Sequence, residues 1–169
     1  PLLKESAFLG GTSEMNTTNV LVPIIGYLSA HDGIFPSDGM KNHFIRWMYL
    51  ALVWSRYGGQ TDQRLDRDVY LVLTEQQPVE ALLAEIEDQR GRLDIKSADL
   101  EGHGSKHQAH KLLYVLAKYN KAVDWATGGS LSSTMGDYYS IQSHHVFPQA
   151  LLYRSGYTTE NYLHTKRVN

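Results

Sequence analysis

The sequence predicts a mainly α protein, a bundle of about five helices followed by a small C-terminal α+β element. Three observations lead there. Apolar residues recur at i, i+3, i+4 and i+7 in several stretches before position 120, and the run from Phe44 to Trp54 is apolar nearly all round. From Asp137 the composition turns to strand formers, Tyr138, Tyr139, Ile141, Val146 and Phe147, stopped by Pro148. The expected division is an α-helical domain over 1–120 and a second, smaller unit over 121–169.

Residues 1–16 show no sustained period and contain Gly10-Gly11, so they read as an irregular lead-in. Thr18 or Asn19 can cap a first helix reaching about Ala30, with Leu21, Ile24, Ile25 and Leu28 on its inner face and Pro23 tolerated in the opening turn. His31-Asp32-Gly33 ends it. After the turn-rich Pro36-Ser37-Asp38-Gly39 a second helix is expected from about Met40 to Tyr57, stopped by Gly58-Gly59. Its apolar residues surround it, so neighbours must cover several sides and it becomes the centre of the bundle.

A third helix opens at Thr61 or Asp62 and turns Leu65, Val69, Val72 and Leu73 inward. Pro78 suits the first turn of a fourth, in which Leu82, Leu83 and Ile86 align while Glu80, Glu85, Glu87 and Asp88 form a solvated outer face. A short turn after Ser97 precedes a fifth helix, with Ser105-Lys106-His107-Gln108 as its capping box and Leu112, Leu113 and Leu116 on its apolar side. Residues 120–136, rich in Gly, Ser and Thr, read as a connector with Trp125 as its anchor.

Hydrophobic residues at 42% and charged residues at 20% give a globular composition. The longest apolar run holds Arg46 and is too short to cross a bilayer, so no membrane partner is expected. The absence of Cys excludes disulfides and thiolate metal sites and fits a cytoplasmic protein. The opening Pro1-Leu2-Leu3-Lys4-Glu5 has neither an initiator Met nor a signal-peptide pattern, so the chain is expected to be part of a longer polypeptide. A net charge of -2 hides an asymmetry: eleven acidic and five basic residues over 60–101, but three acidic and seven basic over 102–169.

Chemically capable side chains converge in Ser143-His144-His145-Val146-Phe147-Pro148. In an extended segment neighbouring side chains project to opposite faces, which gives His144 and His145 different jobs. One imidazole can ligate a divalent metal while the other takes a proton from water, and phosphodiester hydrolysis uses both services. On residue chemistry alone a nuclease pair and a structural pair both stay open. His107 and His110, three apart on a helix, with His103 from the loop before it, could hold a transition metal or lie on the surface as ordinary histidines. Ser130, Ser132, Ser133 and Thr134 sit in no Gly-x-Ser-x-Gly elbow, and His31, His43 and His164 read as helix-end or surface residues.

His145-Val146-Phe147-Pro148, followed by Gln149-Ala150-Leu151-Leu152, resembles the His-Ile-Phe-Pro signature that opens the HNH, or ββα-metal, nuclease domain. More specifically it is similar to the version in the GmrSD-type bacterial restriction and phage-defence family, in which a ParB-like domain and a helical region precede the HNH domain. Asn19-Val20-Leu21-Val22-Pro23, Arg46-Trp47, Arg56-Tyr57-Gly58-Gly59 and Leu65-Asp66-Arg67-Asp68 resemble that helical region in the same order, so the likeness runs from about Asn19 to Asn169.

The resemblance implies an incomplete ββα-metal unit at the C-terminus and a fragment of a metal-dependent DNA endonuclease of bacterial defence. His145 matches its general base and His144 the place of a metal ligand. An imidazole there favours Mn²⁺, Ni²⁺ or Zn²⁺ over Mg²⁺. Val168-Asn169 matches the start of the segment carrying the orienting Asn, in which the later Asn is the functional one; Asn169 is therefore a stand-in, and the closing metal ligand is missing from these residues. Such a partial site is expected to hold metal weakly or not at all, and the fragment to be inactive or nearly so. DNA is the implied partner and a homo-oligomer is left open. The alternative is a non-catalytic helical interaction module in which the histidine pair is structural or a nuclease remnant.

Overall fold

A computed structural model describes residues 2–100, 107–124, 128–131 and 149–157. The chain divides into two compact units, Pro1–Met135 and Gly136–Asn169. The helices described in the first are α1 (Leu21–Ser29), α2 (Asp38–Val53), α3 (Thr61–Thr74), α4 (Pro78–Arg90), the single turn α5 (Ser97–Leu100) and α6 (Gln108–Tyr119). Within the second, α7 covers Gln149–Arg154. The mainly α expectation is therefore met. The described residues contain no strand, only an isolated antiparallel bridge between Val123 and Ser130. The strand-forming stretch 137–148, the anchor Trp125 and residues 158–169 lie outside the described residues.

Helix α2 is the centre, as its all-round apolarity requires. Phe44, Ile45, Trp47, Met48, Leu50, Ala51, Leu52 and Val53 are all buried on it. It begins two residues earlier than the spacing suggests, because the Ser37 Oγ accepts the Met40 N–H at 3.1 Å and caps the first turn. It also ends earlier, and Trp54–Tyr57 form a turn rather than a last helical coil. Helix α1 rests on α3, α4 packs against both α3 and α2, and α6 lies against α2. Gly91 closes α4 in the left-handed region at φ 78 with its N–H on the Glu87 carbonyl, a geometry a Cβ would strain.

Three inward faces differ from the spacing-based reading. On α3, Leu71 and Val72 are buried with Asp68, whereas Leu73 is 52% exposed. On α1, Ile24 and Tyr27 face inward and Ile25 points out. On α6 the buried residues are Gln108, Ala109, Val115 and Lys118, while Leu113 and Leu116 are exposed. That helix opens at His107, whose Nδ1 accepts the Ala109 N–H at 3.2 Å, and so begins two residues beyond Ser105, the expected cap.

The supposed lead-in is structured. A π-helical turn over Leu2–Ser6 and a 3-10 turn over Thr12–Glu14 bring Ala7, Leu9 and Met15 into the core. With no repeat to betray them, short turns of this kind leave no periodic signal.

Candidate functional site

The strongest concentration of charge in the described residues grows out of the turn after α2. Ser55 takes the left-handed region at φ 51, and Gly58 then donates its N–H to the Ser55 carbonyl at 2.9 Å. A Cβ on Gly58 would come within 3.1 Å of that oxygen, which is why glycine stands there. The tight reversal turns Arg56 and Tyr57 back under α3 and α4.

Arg56 is 3% exposed and Asp68 0%, so both charges have left water and require partners. The Arg56 guanidinium grips the Asp68 carboxylate through two hydrogen bonds, Nη2 to Oδ1 at 2.7 Å and Nε to Oδ2 at 3.1 Å. The Tyr57 hydroxyl donates to the same Oδ2 at 2.7 Å. From α4, the Glu85 carbonyl, the Glu85 Oε2 and the Gln89 Oε1 accept from Arg56 at 3.2 to 3.3 Å. Arg67 holds the other Glu85 oxygen at 2.9 Å, and Arg64 donates to the Arg56 carbonyl at 2.6 Å. Glu85 thus leaves the solvated acidic face assigned to it and turns into this cluster.

The electrostatics follow from the contacts. Burial pushes the Glu85 carboxyl up, but hydrogen bonds and positive charge from Arg67 and Arg56 more than reverse this and leave it below the usual carboxylate range. Burial and then the neighbouring Asp68 raise the Tyr57 hydroxyl, which stays protonated and keeps donating. Every polar atom of the Asp68 carboxylate is engaged within the protein, so the cluster is a clamp joining the end of α2 to α3 and α4. These residues belong to the Arg56-Tyr57-Gly58-Gly59 and Leu65-Asp66-Arg67-Asp68 segments singled out in the sequence. An Arg three residues beyond a long apolar helix and an Asp at the centre of an amphipathic one were the available signal for the pair.

Beside the clamp lies a cavity of about 220 Å³ lined by Val53, Trp54, Ser55, Arg90, Asp99 and His107. Arg90 donates to the Trp54 carbonyl. Arg92 stacks over the Trp54 ring at 5.0 Å and holds Asp99 at 2.6 Å. Ligand pockets for drug-sized molecules run to roughly 300–1,000 Å³, so this one suits water or a small ion rather than a nucleotide.

Of the residues with expected chemistry, His144, His145, Asn169 and His103 lie outside the described residues. His107 caps α6 through its Nδ1, and His110 sits edge-on to Tyr114 at 5.6 Å. Among the described residues no group of three His, Asp or Glu side chains is placed to hold a metal ion. Likewise, no helix among them is long and apolar enough to cross a membrane. Comparison of the chain with protein-family models, with curated proteins and with solved structures finds no match in any of the three.

Proposed function

We propose that the chain is the helical region and the opening of an HNH-like, metal-dependent DNA endonuclease in bacterial defence, similar to the GmrSD type. The observation that carries this reading is the adjacent pair His144-His145 running into Val146-Phe147-Pro148. In the helical unit, Arg56, Tyr57 and Asp68, which belong to the helical segments of the same resemblance, are the residues that clamp the bundle together. Shared segments that build a fold, rather than a surface, are what a common helical scaffold would require.

In this reading His145 takes a proton from the attacking water and His144 is a metal donor. A divalent ion would neutralise charge developing on the phosphate. One imidazole is too small a donor set to hold such an ion by itself, and these 169 residues supply only Asn169 as a stand-in for the remainder of the motif. Little cleavage is therefore expected from them alone. In a chain carrying the complete motif, supercoiled plasmid should be nicked with Mn²⁺ or Ni²⁺, and His145→Ala should lower the rate by roughly 10²–10⁴. A His145→Ala protein that nicks at the parent rate would refute the assignment.

A non-catalytic interaction module is the second reading, favoured by the outward apolar residues Leu113, Leu116 and Tyr119 of α6. It predicts no metal-dependent nicking from either protein.

A further inference from the structure

We infer that residues 2–16 and α6 form a two-part latch that opens from the α1–α4 bundle as one cooperative unit. This conformational device stands whether or not His145 is a base.

The two segments hold each other at both ends of α6. At its start, the buried Gln108 Oε1 accepts the Asn16 N–H at 3.1 Å. At its end, the Lys118 ammonium, only 4% exposed, donates to the Phe8 carbonyl at 3.3 Å and faces the Glu14 carboxylate at 3.7 Å. Phe8 also meets the Tyr119 ring edge-on at 5.9 Å. The N-terminal segment in turn reaches α2, where Tyr49 donates its hydroxyl to the Ala7 carbonyl and the Asn16 side chain donates to the Leu52 carbonyl at 3.3 Å.

What makes the latch separable is the chemistry of the inner face of α6. Helix α6 fully buries two polar residues, Gln108 and Lys118, beside the smaller Ala109 and Val115, with Leu112 partly buried against the core. Hydrogen bonds that exchange for bonds to water contribute little net stability, whereas the apolar centre of the bundle has no such replacement. The Gln108 Nε2 is buried and finds no acceptor among the described residues, a fault that opening relieves. The two segments share the Gln108 and Lys118 anchors, so each loses those partners once the other departs. The Arg56 clamp uses none of these residues and survives the opening.

Native-state hydrogen exchange on the whole chain at low denaturant tests this. Amides of residues 2–16 and of α6 should exchange together, about tenfold or more faster than those of the buried faces of α2 and α3, and with one shared denaturant slope. Leu9→Ala should speed exchange in α6 and Lys118→Ala should speed it in residues 2–16, with α3 and α4 unchanged. Two different slopes in the unmodified chain, or exchange of α6 only through global unfolding, would overturn the latch even if neither variant folds.

Discussion

Asp68→Ala leaves the Arg56 guanidinium in a site with almost no exposure and one carboxylate fewer. Removing one member of a buried ion pair costs about 3–5 kcal/mol, and chemical denaturation should show a loss of that order. The paired replacement Arg56→Met with Asp68→Leu should recover part of it, since no charge is then stranded although the buried Tyr57 hydroxyl loses its acceptor. Glu85 answers to pH. Its folded value is depressed, so its contribution is full above the unfolded value of about 4.3 and is lost as pH falls through the lower, folded one. Arg67 is a main cause of that depression, and Arg67→Ala should move the acid-unfolding midpoint to higher pH in a circular-dichroism titration.

Among the elements, α2 and α4 could be read closely from sequence because their signals are strong and local: continuous apolarity in one, Pro78 at the start of the other. The faces of α1, α3 and α6 were harder to read. Leucines set the expected stripe on α6, but Lys118 and Gln108 face inward because residues 2–16 offer them a carbonyl and an amide, partners ninety or more positions distant in the chain. No local period encodes such a partner. The orientation has a measurable consequence: Leu113→Ser should change stability by less than about 0.5 kcal/mol, whereas Ile86→Ala on α4 should cost about 2–5 kcal/mol. At the start of α2, Ser37→Ala should cost about 1 kcal/mol through loss of the cap, in the same denaturation assay.

For the whole molecule, a helical bundle clamped by Arg56 and Asp68 is a scaffold, and its proposed chemistry rests with the histidine pair that follows it in the chain. The pair was visible in sequence because two imidazoles ahead of Val146-Phe147-Pro148 form an unusual local pattern; the rest of the resembled motif was not, because Val168-Asn169 matches only its start. The most direct test is the pH dependence of plasmid nicking by a chain that carries the complete motif. With His145 as general base, the rate should rise about tenfold per pH unit and level off near the imidazole range of about 6.5, and this limb should vanish in His145→Ala. A limb of the same shape and position in His145→Ala would contradict the assignment.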